Sequence, residues 1–259
     1  MTRFSANLGF LWQDLSLPNA IRAAKAAGFD AVECHWPYDT PAADVKAALD
    51  ETGLPMLGLN TIRGDLGAGE NGLAALPGRT DDARSAIDQA LQYAQAVGAQ
   101  AVHVMAGFTS GPEAEQTFID NLRYACDAAG DVTILIEPLN RHDAPGYFLS
   151  STDQARRVID AVKRPNLKLM FDCYHVGRTE GDLITRLKDL LPIVGHIQFA
   201  SVPDRGTPDH GEINYPWVFT QIDALEWTAP LGAEYKPNGD TGDTGDTGDT
   251  GDSLGWLHL

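Results

Sequence analysis

Residues 134–148 read ILIEPLNRHDAPGYF. Three aliphatic residues run straight into Glu137, and Pro138 follows at once. A short apolar, β-branched run bounded by a breaker reads as a core strand. A carboxylate is costly to bury without a partner, and proline has no N–H with which to continue a ladder. The stretch is therefore a strand that stops on an acid. The fold must be one in which strand ends are useful places for acids.

The pattern extends in both directions. Runs at 3–11, 31–36, 56–61, 101–107, 133–139, 167–172, 194–200 and 232–237 make eight strand candidates. Several of the intervening segments carry helix signals. Thr40-Pro41 opens one helix and Gly53 ends it. Within 79–97, Ala83, Ile87, Ala90, Leu91, Ala94 and Val97 share one face, and Gly98 closes the turn. Thr152 is expected to cap a helix carrying Ala155, Val158, Ile159 and Val162. Strict β-α alternation calls for a parallel sheet with helical crossovers. Eight such units in about 250 residues have the size of a (β/α)8 TIM barrel. An open doubly wound sheet is disfavoured, because no GxGxxG or Walker-type turn follows the first strand.

Composition agrees with one barrel domain over residues 1–259: 43% of the chain is hydrophobic and 21% charged. No apolar run approaches the roughly 18–20 residues of a membrane helix, so no membrane partner is expected. The start, MTRFSANLGFLWQD, lacks the apolar stretch of a signal peptide. Cys34, Cys126 and Cys173 are far apart and lack CxxC spacing, which fits a reducing, cytoplasmic location. The net charge of −17 repels phosphates, so nucleic acid is not an expected partner. No feature calls for a particular oligomeric state. Residues 239–252, GDTGDTGDTGDTGD, have no apolar side chain and are expected to form a flexible insertion. They stand where the eighth helix belongs, ahead of a terminal anchor SLGWLHL, so that helix should be short or absent. The long segments 61–80 and 201–214 leave C-terminal strand ends and are expected to serve as binding loops.

A barrel of this kind gathers its chemistry at the C-terminal strand ends. Strand five ends near Glu137 and strand six at Asp172, while strands seven and eight carry Gln198 and Glu234. Four successive strands thus deliver oxygen ligands to one side of the rim. Three carboxylates this close repel one another unless a cation lies between them. Hard oxygen donors with an amide among them suit Mg2+ or Mn2+. His175, three residues past Asp172, and His196, two before Gln198, are candidates to bind a substrate oxygen or orient a carboxylate. Lys236 and Arg205 are candidate anion partners, Arg205 as a clamp for a carboxylate. His103 is expected inside the barrel.

The motifs RFSANLGF, ALPGR, IEPLNRHDAPGYF, FDCYH, GHIQ, GEINYPW and EYKP occur in order from residue 3 to about residue 237. Together they resemble the hydroxypyruvate isomerase family of the xylose isomerase-like barrel superfamily. The resemblance implies a cytosolic sugar-acid isomerase whose acid/base pair is Glu137 and Glu234. It also implies divalent-metal ligands at Glu137, Asp172, Gln198 and Glu234. Other stretches, GDLGAGENGLAALPGR, VHVMAG, PDRGTPDHGEINYPW and the terminal LGW, are more similar to 2-oxo-tetronate isomerase. The implied reaction converts hydroxypyruvate to tartronate semialdehyde through an enediolate. The alternatives weighed are 2-oxo-tetronate isomerisation, 3-epimerisation of a neutral sugar, and a non-catalytic sugar-acid binder. The barrel endonucleases of DNA repair need a histidine-rich three-zinc site and a basic groove, which the charge argues against.

Overall fold

A computed structural model of the chain describes residues 2–239 and 249–258. The strands and helices alternate as β1 (Phe4–Asn7), α1 (Leu17–Ala27), β2 (Ala31–Glu33), α2 (Ala42–Thr52), β3 (Gly58–Asn60), α3 (Thr80–Val97), β4 (Ala101–His103), α4 (Pro112–Ala128), β5 (Thr133–Ile136), α5 (Thr152–Val162) and β6 (Leu167–Asp172). They continue with α6 (Cys173–Thr179), α7 (Leu183–Leu190), β7 (Val194–Phe199), α8 (Tyr215–Ala224) and β8 (Leu231–Ala233). All eight strands are parallel, in the order β2-β1-β8-β7-β6-β5-β4-β3. A parallel bridge between Val32 and Met56 joins the two ends of that order. Leu57 N–H donates to Val32 O at 2.8 Å, so the barrel is nearly closed.

The strands are shorter than the sequence suggests. The first stops at Asn7, where the chain turns, and the eighth at Ala233. Glu137 and Glu234 therefore sit one residue beyond β5 and β8. The cap of α5 also shifts by one residue: Ser151 is the N-cap, its Oγ accepting from Gln154 N–H at 3.2 Å. Thr152 begins the helix instead, and its hydroxyl donates to Glu180 Oε2 at 2.8 Å. Gly53 and Gly98 end α2 and α3 in the left-handed conformation.

The helices bury one face each. On α3 the buried set is Ala83, Ala86, Ile87, Ala90, Leu91, Ala94 and Val97, the expected face with Ala86 added. The three cysteines are buried and free; burial pushes the Cys34 and Cys126 thiols up to about 12.

After β8 the described residues form only two short 3-10 turns, Gly251–Ser253 and Gly255–His258. Trp256 packs on the outer face of the strands, edge-on to Phe4, Phe199 and Tyr235 with ring centroids 5.0, 5.3 and 5.9 Å away. Its indole N–H donates to the Tyr235 hydroxyl at 3.1 Å. The expected flexible insertion falls mainly on residues 240–248, outside the described residues. The C-terminal end of the repeat is tied down: Thr250 is buried and its Oγ1 accepts from Trp12 N–H at 2.7 Å. Among the described residues no helix is long and apolar enough to cross a membrane.

Candidate active site

The rim built by β5 to β8 collects a buried acidic centre. One ligand atom each of Glu137, Asp172, His175 and Glu234 lies within 4.8 Å of the others, and all four residues are buried. Gln198 is the register partner of Asp172 on the neighbouring strand, which brings it to the same centre. Three buried oxygens here have no hydrogen-bond partner: Glu137 Oε1, Asp172 Oδ2 and Gln198 Oε1. Buried acceptors left open are rare in folded proteins. A set of open hard oxygens is what a divalent cation takes, so the residues present fit a metal ion.

The two glutamates differ sharply in environment. Burial, then Glu234 and Asp172, push Glu137 well above the usual carboxylate range. Its nearest partners are His103 Nδ1 at 3.6 Å and His175 Nε2 at 3.7 Å. Burial acts on Glu234 in the same sense, yet Arg205 and the His35 hydrogen bond carry it well below that range. Glu234 Oε2 accepts from Arg205 Nη2 at 2.6 Å. Its Oε1 meets His35 Nε2 and Asn7 Nδ2, both at 3.0 Å. Gly9 makes room for that histidine, since a Cβ there would fall 2.1 Å from His35 Nδ1. Asp172 spends one oxygen on Tyr174 N–H at 2.7 Å, capping α6. Burial and Glu234 push its carboxyl up to about 7.

His175 stands beside the acids as a donor. The Asn140 backbone N–H donates to its Nδ1 at 3.1 Å. The proton of the neutral ring is therefore on Nε2, which faces Glu137 Oε1 at 3.7 Å and Asp172 Oδ2 at 3.6 Å. Burial lowers this imidazole to about 3, so the ring is neutral. With its proton there, Nε2 is no metal ligand, and the amide oxygen of Gln198 is the better fourth donor.

Arg205 is half-buried in the loop after β7 at φ 55, an unusual conformation for a side-chain-bearing residue. Backbone bonds from Arg205 N–H to Ser201 O (2.9 Å) and from Lys236 N–H to Arg205 O (2.8 Å) hold it. Its guanidinium stacks between Phe10 and Tyr174, 4.8 and 5.0 Å from their ring centres. Lys236 is half-buried beyond the end of β8. His196 lies one layer deeper, its Nε2 2.8 Å from Glu33 Oε2. His103 is inside the barrel as expected, with burial lowering it to about 4.

Sequence reasoning on β5 to β8 did not reach Asn7, Glu33 or His35, which come from β1, β2 and the turn after β2. The signal was present. Asn7 in FSAN and Glu33 in AVE are polar residues at the ends of apolar strands, the pattern that singled out Glu137 and Asp172. Asn140, which holds His175, and Asp143, which accepts from the Tyr174 hydroxyl at 2.8 Å and lies 3.8 Å from Arg205 Nη1, are in the loop after β5 and carried no strand-end signal.

A nearly closed (β/α)8 barrel with a buried carboxylate centre at its C-terminal rim defines a class of barrel enzymes. The chain belongs to the xylose isomerase-like TIM barrel family, whose model matches residues 21–258. It is 42% identical to a 2-oxo-tetronate isomerase of Cupriavidus necator over 99% of this chain and 98% of that protein. It is 38% identical to a hydroxypyruvate isomerase of Escherichia coli K12, over 93% of this chain and 96% of that one. A crystal structure from Brucella melitensis, described as an AP endonuclease of family 2, is 37% identical and superposes with a TM-score of 0.92 over 100% of this chain and 98% of that chain.

Proposed function

We propose that the chain is a sugar-acid isomerase that converts hydroxypyruvate to tartronate semialdehyde, with 2-oxo-tetronate as the rival substrate. The observation that carries this reading is the pair of buried glutamates, one each from β5 and β8, whose surroundings drive their proton affinities apart. Such pairs divide into an acid and a base. Relatives over nearly the whole chain bear both isomerase names.

Glu234, held ionised, takes a proton from the CH2OH carbon of hydroxypyruvate. Glu137, which keeps its proton, returns one to the neighbouring carbon, while the hydroxyl proton of the first carbon passes to the former carbonyl oxygen. His175 Nε2–H is positioned to donate to an oxygen of the enediolate. Arg205 binds the substrate carboxylate, with Lys236 as a second cation near the rim. As the substrate acid draws on Arg205, its hold on Glu234 loosens, which makes Glu234 a stronger base. Glu137, Asp172, Gln198 and Glu234 would hold a divalent cation, Mg2+ or Mn2+, consistent with the three open oxygens among them. When bound, such an ion supplies electrostatic stabilisation of the negative charge that develops on the substrate oxygens.

An endonuclease reading is disfavoured. A net charge of −17 opposes binding of a phosphate backbone, and the centre is rich in carboxylates rather than histidines. The test is 13C NMR of hydroxypyruvate incubated with the purified protein. Tartronate semialdehyde should accumulate at a rate proportional to enzyme. A spectrum unchanged from the enzyme-free control contradicts the reading.

A further inference from the structure

Beneath the rim, Glu33 on β2 is buried and surrounded by donors. Its Oε1 accepts from Gln198 Nε2 at 2.7 Å and Asn7 Nδ2 at 3.1 Å, and its Oε2 pairs with His196 Nε2 at 2.8 Å. Gln198 Nε2 also donates to Glu234 Oε1 at 3.3 Å, and Asn7 Nδ2 to the same oxygen at 3.0 Å. Two carboxylates are thus bridged by two amide groups. Both hydrogens of the Gln198 amide are taken. Turning that amide over would set its oxygen against two carboxylate oxygens, so the orientation is forced by chemistry. What remains is Gln198 Oε1, buried and without a partner.

The backbone is shaped around this arrangement. Gly232 of β8 sits opposite, and a Cβ there would fall 2.6 and 2.8 Å from the two Glu33 carboxylate oxygens and 2.8 Å from Gln198 Cγ. Any side chain at 232 would displace Glu33, Gln198 or both. The hydrogen-bond partners of the Glu33 carboxylate are Gln198, Asn7 and His196, and none of them is an open oxygen of Glu137 or Asp172.

We propose that Glu33 is a positioning residue: by accepting the amide hydrogens of Gln198 it makes that residue an oxygen donor to the cation rather than a nitrogen presented to it. The inference rests on the metal-binding part of the proposed function. Groups that orient a metal ligand typically change metal affinity by about 10–100-fold when removed.

The experiment is titration of metal-stripped protein with Mn2+ by calorimetry, without substrate, alongside circular dichroism. Glu33→Leu removes the acceptor and should weaken Mn2+ binding by about 10–100-fold. Glu33→Gln can still turn one oxygen to Gln198 and Asn7 while its NH2 faces His196, and should bind Mn2+ nearly as the parent does. In a Gln198→Ala background, Glu33→Leu should add little, because residues acting through one another are not additive. If Glu33→Leu does not fold, Glu33→Asp draws the acceptor back by one methylene while keeping its charge and should weaken Mn2+ in its place. Parent-like affinity in Glu33→Leu or Glu33→Asp, or full additivity with Gln198→Ala, overturns the positioning role alone. A parent protein that binds no Mn2+ overturns the cation reading and this inference with it.

Discussion

Glu137 and Glu234 occupy equivalent places past β5 and β8 and yet have opposite electrostatics. The difference lies in single contacts: Arg205, His35 and Asn7 converge on Glu234, while Glu137 faces two neutral imidazoles and the other acids. Glu137→Gln and Glu234→Gln should each lower kcat on hydroxypyruvate by about 10²–10⁴-fold, the usual worth of a proton-transfer group, with an unchanged far-ultraviolet spectrum. Arg205 offers a sharper test because its effect has a sign. It holds Glu234 below the ordinary carboxylate range, so Arg205→Met should let the Glu234 pKa rise. The base must be ionised to act, so the acid limb of the kcat/KM profile should move to higher pH. An acid limb that stays in place would assign the base elsewhere.

At the scale of elements, the alternation of strand and helix was legible because most strand candidates are short runs rich in apolar residues and each of the three helices singled out has a marked start or stop. Gly53 and Gly98 were read correctly for that reason, whereas Ser151 and Thr152 are adjacent cap formers and sequence alone chose the wrong one. The acids that end β5 and β6 stood out against apolar neighbours. The layer below them did not, because its meaning depends on contacts 163 and 165 residues apart in sequence, His196 and Gln198 with Glu33. Asp172 illustrates what an element end does to a titrating group. Burial at the β6–α6 junction raises its carboxyl to about 7 in metal-free protein. The folded state then holds a proton that the unfolded chain releases near pH 4. Stability from this group is present below that pH and is lost as pH rises through about 7. The melting temperature of metal-stripped protein should therefore fall between about pH 4 and 7, and the stabilisation by Mn2+ should grow over the same window. Calorimetric scans with and without Mn2+ at several pH values check this, and a Mn2+ effect that shrinks with rising pH would count against it.

For the whole molecule, the C-terminal residues replace a helix with an anchor. Trp256 packs on the outer face of the strands among Phe4, Phe199 and Tyr235, and Thr250 takes the Trp12 N–H. Thr250→Val should leave that N–H unsatisfied, at about 1–3 kcal/mol, lowering Tm by roughly 2–10 °C with kcat unchanged. A Tm unchanged from the parent would mean that the contact is dispensable. The cation Arg205, set beside the acids of the rim, argues for an anionic substrate over a neutral sugar. The most direct measurement is the set of kcat/KM values for hydroxypyruvate, 2-oxo-tetronate and a neutral ketohexose on one preparation. The two acids differ by one hydroxymethylene carbon, a difference usually worth about 10–200-fold. Turnover of both acids, with hydroxypyruvate modestly preferred and the ketohexose untouched, is the predicted result. Epimerisation of the ketohexose with neither acid turned over, or binding of the acids without any turnover, would contradict it.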